Sequence, residues 1–286
     1  MGGFDLASYI QERKAFLDKE LDRILPGENC EPRAVSAAMR YGTLGGGKRL
    51  RPLMALVVAE VNGHERAAIS ETACAIELVH AASLILDDLP SMDNARMRRG
   101  QRCTHVVYGE STAILAAMDQ IAIAYRLVAA NAEQHQCAVA PVITELSNAI
   151  GHKGIVGGQY ADLSLGSQSA SLEQLTEIYA HKAAALFVAA VRIPASILGI
   201  DKGKSRALEC YAENLGLAFQ ITDDVLDADH APEDAGRSTF VTHLGEAGAR
   251  KKVAKLVNNA NAALEPFGSE ATVLKALAEH VGKREH

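Results

Sequence analysis

An all-α fold is predicted by three features of this chain. Ala, Leu and Ile abound while aromatic residues make up only 5% and Trp is absent, a balance that favours helix over sheet. Apolar positions recur at the helical period through nearly every segment. No run alternates apolar and polar residues convincingly enough to read as a strand. Leu6, Ile10, Phe16, Leu17 and Leu21 mark a first helix. Pro52 opens a second, through about Val61, closed by Asn62-Gly63. A long apolar helix runs from about Ala67 to Asp88, where Pro90 breaks it. Helices are then expected at about 110–133, 137–152, 172–190, 204–227, 246–264 and 269–282. The stretches 71–86 and 113–130 are apolar nearly all round, which places them in the middle of a large helical fold. No repeat or linker divides the 286 residues, so a single domain spanning 1–286 is the expectation.

Charge and cysteines narrow the function. The formal net charge is -6, so bulk attraction to nucleic acid is not expected. Five scattered cysteines without a CxxC pair argue against a disulfide framework or a zinc site. Buried free thiols in a reducing cytoplasm fit better. The opening residues lack a basic stretch followed by an apolar one, so no signal peptide is expected. The best uncharged apolar run, Ala183 to Val191, stops at Arg192 and Pro194, so no membrane span is expected.

The chemistry lies in two acidic groups, each at the end of an apolar helix. The first is Asp87, Asp88 and Asp93, separated by Pro90. A turn at the proline can bring Asp93 back beside Asp87. The second is Asp223, Asp224 and Asp227, with Gln220 on the face shared by Asp223 and Asp227. Uncompensated carboxylates in such settings are costly, and a cation is the remedy. Carboxylates with no His or Cys among them select a hard ion. Magnesium takes one or two carboxylates and completes its shell with water and substrate phosphates. Two such clusters facing each other would hold a polyphosphate. A solvated cap explains one aspartate pair well but two similar clusters poorly.

The positive charges are bunched too. Gly45-Gly46-Gly47-Lys48-Arg49-Leu50-Arg51-Pro52 joins a glycine turn, whose backbone can approach an anion, to three cations. Arg98-Arg99-Gly100 adds two guanidinium forks suited to phosphate oxygens. His80 precedes Asp87 by two helix turns, and Glu77 extends that row. Lys182 in an Ala-rich helix and the segment Gly158-Gln159-Tyr160-Ala161-Asp162 are weak signals alone.

Together the motifs GGGKRLRP, ELVHAASLILDDLPSMD, RRG and FQITDD, in that order, resemble the trans-isoprenyl diphosphate synthases. The resemblance covers residues from about 40 to 245 and is nearest to bacterial geranylgeranyl and farnesyl diphosphate synthases. It implies the isoprenoid synthase fold, helices around a deep cavity, as a homodimer. It implies condensation of isopentenyl diphosphate with an allylic diphosphate (dimethylallyl, geranyl or farnesyl). Asp87, Asp88 and Asp93 would bind two magnesium ions, and Asp223 with Asp224 and Asp227 a third. Arg98, Lys182 and Gln220 would contact the allylic diphosphate. Lys48, Arg51, His80 and Arg99, beside Gly47, would hold isopentenyl diphosphate.

Two departures touch allylic binding: Ala183 stands where the family usually has threonine, and the shortened loop after Asp227 carries Arg237 in place of a lysine. Product length is expected to follow from Ala81, Ala82 and Ser83, small residues below Asp87 that leave room for a C20 tail. Ala82 lies about 7.5 Å down the helix. Met118 and Ile121 are candidates for the pocket floor. Farnesyl diphosphate is the alternative product. A catalytically weak binding or regulatory subunit is the alternative class, consistent with Ala183 and the trimmed loop but not with six intact aspartates. A terpene cyclase would not need the second cationic site, and a di-iron bundle would need Glu-x-x-His pairs absent here.

Overall fold

The computed structural model describes residues 4–165, 170–228 and 238–284. Thirteen α-helices and one two-residue hairpin, Met97–Arg98 (β1) with Gln101–Arg102 (β2), are found among them. The chain divides into two compact units, Met1–Ile143 and Thr144–His286.

In the first unit, α1 (Leu6–Ile24) is capped by Asp5, whose carboxylate accepts from the Ala7 and Ser8 amides. Next come α2 (Arg33–Leu44), α3 (Leu50–Val61), a 3₁₀ turn Arg66–Ile69, α4 (Ser70–Asp87), α5 (Thr104–Tyr108) and α6 (Glu110–Gln134). α3 and α4 are buried along almost their whole length, as their apolar composition requires. α4 packs chiefly on α6. Ala82, Ala113 and Ala117 meet at that contact, so the helices approach closely under the first aspartates.

α6 differs from expectation. Its buried residues follow one stripe through Ala113, Ala117, Gln120 and Ala124, while Ile114, Leu115 and Met118 are exposed. An apolar face is therefore left open on a helix whose composition suggested a central position. α2 was not legible as a helix, because its tail runs directly into the glycine turn at Gly45.

In the second unit, α7 (Val139–Ile150, which begins in the first) leads to α8 (Ile155–Leu165), α9 (Leu172–Tyr179), a π turn at Ala180–Ala184 and α10 (Ala185–Ile197). Then follow α11 (Lys202–Ala228), α12 (Phe240–Ala263), a 3₁₀ segment Glu265–Ala271 and α13 (Thr272–Gly282). α9 opens with a capping box between Ser171 and Gln174. The helix expected over 172–190 is thus interrupted by the π turn and continues past Pro194 to Ile197. α8 was also not anticipated: its Gly157-Gly158 pair reads as a breaker. Gly158 has a packing reason, since a Cβ there would lie 2.3 Å from the Lys182 amide nitrogen. α11 is the core of this unit, with Tyr211 fully buried and its hydroxyl donating to the Leu274 carbonyl (2.7 Å). Gly245, at φ 67°, interrupts α12, next to the start expected at 246.

The stretches Arg66–Asp87, Glu110–Gln134 and Leu172–Ile197 are long and apolar enough, by length and composition alone, to cross a membrane. In the first, 72% of the window is already buried within the protein, which accounts for its apolarity. All five cysteines are free. Cys74 and Cys103 are buried as expected, whereas Cys30 and Cys210 are exposed.

Candidate active site

The first aspartate group is shaped by the end of α4. The helix stops at Asp87, and the chain folds back so that the Asp93 N–H donates to the Asp87 carbonyl (2.9 Å). The turn at Pro90 thus returns Asp93 to Asp87 at the backbone, in line with the spacing. Asp87 is partly buried, Asp93 exposed and Asp88 buried. The Asp88 carboxylate accepts from Arg98 Nε (2.6 Å). It also lies beside the buried Cys103 thiol, which burial and then the Asp88 charge push up to about 11.

Asp88 and Arg98 line a crevice together with Tyr41, Ala81, Leu84 and Arg99. His80 lies on the same helix. Its Nε2 is 3.5 Å from Arg51 Nη1 and 3.5 Å from Arg99 Nη2. A guanidinium can only donate, so Nε2 is the bare ring nitrogen in these contacts and His80 is neutral. Burial holds its pKa well below 6.5, and the charges of Arg51, Arg99, Arg49 and Arg98 add to that. Arg99 is pinned by Nη1 donating to the Gly46 carbonyl (2.8 Å). Gly47, at φ +129°, passes so near that a Cβ would meet Arg99 Nη1 at 2.6 Å. The φ of +129° itself favours glycine here, whereas the flexible Arg99 side chain could give way to a Cβ. Lys48 is exposed at the rim of the same turn. Two guanidinium groups, Arg51 and Arg99, held on a neutral imidazole make an anion site.

A pH dependence follows. The folded pKa of His80 lies below its unfolded value, so between the two only the unfolded chain takes the proton. Its contribution is intact above about pH 6.5 and is lost as pH falls through that value. Wild-type protein should lose on the order of 1 kcal/mol per pH unit below 6.5 relative to His80→Gln. Urea midpoints of both proteins at pH 7.5, 6 and 5 measure this, and parallel curves would reject the neutral-imidazole arrangement.

Not every cation of GGGKRLRP belongs to this site. Arg49 turns inward in the left-handed conformation (φ 51°). It donates to Glu77 Oε1 (2.5 Å), Asp18 Oδ1 (2.8 Å) and the Thr43 carbonyl (2.7 Å). Glu77, read as an extension of the His80 row, is this buried partner.

Among the chain-length candidates, Ala81 lines the crevice. Ala82 is fully buried against Ala113 and Ala117, and Ile121 packs beside them. Ser83 Oγ donates to the His80 carbonyl (2.8 Å). Met118 is 61% exposed, one position off the buried stripe of α6.

In the second unit, Lys182 sits in the middle of the π turn, a feature often found at functional positions. Its Nζ donates to Asp162 Oδ2 (2.6 Å), which gives the Gly158–Asp162 segment its role. Ala183 is buried beside it. The second aspartate group splits. Asp223 pairs with Arg284 (2.8 Å), and Asp227 is exposed. Asp224 differs from its expected part as a metal ligand. It is buried in the wall of the unit and accepts from the Tyr179 hydroxyl (2.7 Å) and the Phe240 amide (3.3 Å), with Gln220 also bonded to it. Burial pushes its pKa up to about 6 against those donors. This carboxylate ties α11 to α9 and α12. Arg237 lies outside the described residues.

Among the described residues no group of three or more ligand side chains stands already assembled for a metal. What remains fits a hard cation: Asp87, Asp93, Asp223 and Asp227 offer only carboxylate oxygen, and magnesium needs few protein ligands where phosphates supply the rest. Cys103 joins the first aspartate group, and Tyr179 and Arg284 the second, only through folding, with no signal in the sequence around them. Asp162 carried a faint one, by its place in the Gly158–Asp162 segment.

An all-α chain with a carboxylate-rich turn beside a cluster of arginines is built to bind polyphosphates. The polyprenyl synthetase family profile matches residues 32–243. The chloroplastic geranylgeranyl pyrophosphate synthase of Capsicum annuum is 36% identical over 99% of this chain and 80% of its own length. The geranylgeranyl diphosphate synthase of Cyanophora paradoxa is 36% identical over 98% of this chain and 97% of its own. A crystal structure of an FPP/GFPP synthase from Zymomonas mobilis superposes with a TM-score of 0.88, at 33% identity, covering 97% of this chain and 98% of that one. The chain belongs to the polyprenyl synthetase family. It is a trans-prenyltransferase with the isoprenoid synthase fold of that family.

Proposed function

We propose that this enzyme condenses isopentenyl diphosphate head to tail with allylic diphosphates and releases geranylgeranyl diphosphate. The observation that carries this reading is the Arg51–His80–Arg99 anion site beside the Asp87, Asp88 and Asp93 turn. Lys48, Arg51 and Arg99 would bind the isopentenyl diphosphate, with His80 as a neutral spacer and Gly47 allowing the backbone to close on it. Arg98, Lys182, Gln220 and Arg237 would contact the allylic diphosphate. Asp87, Asp88 and Asp93, and in the second unit Asp223 and Asp227, would hold magnesium, three ions in all. Bound magnesium supplies charge stabilisation on the departing pyrophosphate.

The protein's own work is orientation and charge. Arg98 spends Nε on Asp88 and has its terminal nitrogens for phosphate oxygens. Apolar Ala81 and Leu84 face the same crevice, where a cationic allylic carbon would be kept from water. The family match runs across the boundary at Ile143, which supports reading residues 1–286 as one synthetase domain. The exposed Ile114, Leu115 and Met118 of α6 support a homodimer that covers them. The five free thiols support a cytoplasmic setting.

One observation favours a shorter product. Ala82 is fully buried against α6, so its small size serves helix packing. Purified protein incubated with magnesium, isopentenyl diphosphate and C5, C10 or C15 primers separates the readings. A C20 product is expected. A C15 product would keep the chemistry and move the pocket floor up. No product, with diphosphates still bound, would replace the synthase reading by that of a binding subunit.

A further inference from the structure

Arg284 follows α13 and is nine-tenths buried. Its Nη2 donates to Asp223 Oδ1 (2.8 Å), and its guanidinium carbon lies 4.6 Å from the centre of the Phe219 ring. Phe219 and Asp223 are four apart on α11, so one arginine reads both along a single helix face. Its Nε and Nη1 are buried and have no hydrogen-bond partner. Buried donors left without partners mark a contact that is incomplete as it stands. The fork is held here chiefly by the aspartate charge and the aromatic face.

We propose that Arg284 sets the metal affinity of Asp223: it is the counter-ion of that carboxylate when no cation is present, and it is displaced when a divalent cation binds. This rests on the reading of Asp223 as a cation ligand. The physical ground is exclusion. A guanidinium 2.8 Å from Oδ1 occupies the approach that a cation would use, and two positive charges on one carboxylate oxygen repel at short range. Displacement also frees Nε and Nη1, buried without partners in the closed contact, to reach water. Arg284 is thus a positioning residue: it keeps the Asp223 carboxylate oriented in the resting enzyme, and magnesium must compete with it.

The test needs no turnover. Phenylglyoxal modifies accessible guanidinium groups, and peptide mass spectrometry reads the extent at Arg284. In metal-free buffer Arg284 should be protected. Saturating magnesium alone should raise its labelling rate by about tenfold, as expected when a mostly closed contact becomes mostly open. Asp223→Asn should label at the fast rate without metal and should not respond to magnesium. Arg284→Gln should bind Mn2+, followed by its paramagnetic resonance, at about tenfold lower concentration than wild type.

Unchanged protection in magnesium, or protection surviving in Asp223→Asn, would overturn the proposal. Labelling that falls when inorganic pyrophosphate joins the magnesium would also overturn it, because Arg284 would then be a phosphate ligand. If labelling responds to magnesium but no prenyl product forms, the exchange stands and the synthase reading fails. If product forms without a labelling response, the synthase reading stands and the exchange fails.

Discussion

Arg49→Met is expected to destabilise the first unit by about 3–5 kcal/mol, the cost of leaving one member of a buried ion pair without its partner. The Arg49 side chain is 1% exposed and that of Glu77 2%. One Glu77 oxygen already lacks a hydrogen-bond partner, so the carboxylate has no alternative donor when the guanidinium is removed. Asp18 and the Thr43 carbonyl lose theirs too. The same arginine sits in the left-handed conformation at the entrance to α3, which costs about 1 kcal/mol and persists only because the side chain is held on three sides. The drop in urea midpoint measures the effect. The double variant Arg49→Met, Glu77→Leu should recover about half of it, since no charge is then left buried. A single-variant loss below about 1 kcal/mol, the size of an exposed pair, would show that Arg49 is solvated in solution.

This residue also shows where sequence reading stops. GGGKRLRP is legible as an anion-binding turn because glycines and cations declare their chemistry by type. Which of three neighbouring cations faces the ligand is decided by backbone direction. A left-handed residue before α3 sends Arg49 into the core, while Arg51 reaches His80. The aspartate groups divide in the same way. Asp223 and Asp224 are adjacent in sequence, yet successive helix positions are about 100° apart, and only one can avoid the interior. The structure buries Asp224 beneath Tyr179 and Phe240. Long helices such as α4 and α11 were legible because many periodic positions vote together. α8 and the π turn were not, because Gly157-Gly158 weakens the local signal and a π turn has no periodicity of its own. Met118 lies one helix position from the buried Ala117, enough to move a side chain from a buried stripe to an open face. Arg284 carries no local pattern, since its partners are brought to it only by folding.

Asp87→Ala should lower kcat by on the order of a thousandfold while leaving the unfolding midpoint nearly unchanged, if its carboxylate serves charge developing in the reaction as proposed. The stability half of this expectation comes from the backbone. Asp87 holds the turn through its carbonyl, which accepts from the Asp93 amide, and alanine keeps that carbonyl. Alanine also favours the helix end that Asp87 occupies. Asp224→Ala should do the opposite: removing a buried acceptor strands the Tyr179 hydroxyl and the Phe240 amide, at a cost of about 1–3 kcal/mol. Its kcat should fall only as far as Lys182, in the π turn that follows Tyr179, is disturbed. Steady-state rates at saturating magnesium, set beside urea midpoints for both variants, give the comparison. If Asp87→Ala loses less than tenfold in kcat, the first aspartate turn is not the cation site, and the chemistry must be sought with Asp223 and Asp227. If Asp224→Ala abolishes turnover at full stability, its carboxylate must leave Tyr179 when substrate binds, and the two aspartates of FQITDD would exchange roles.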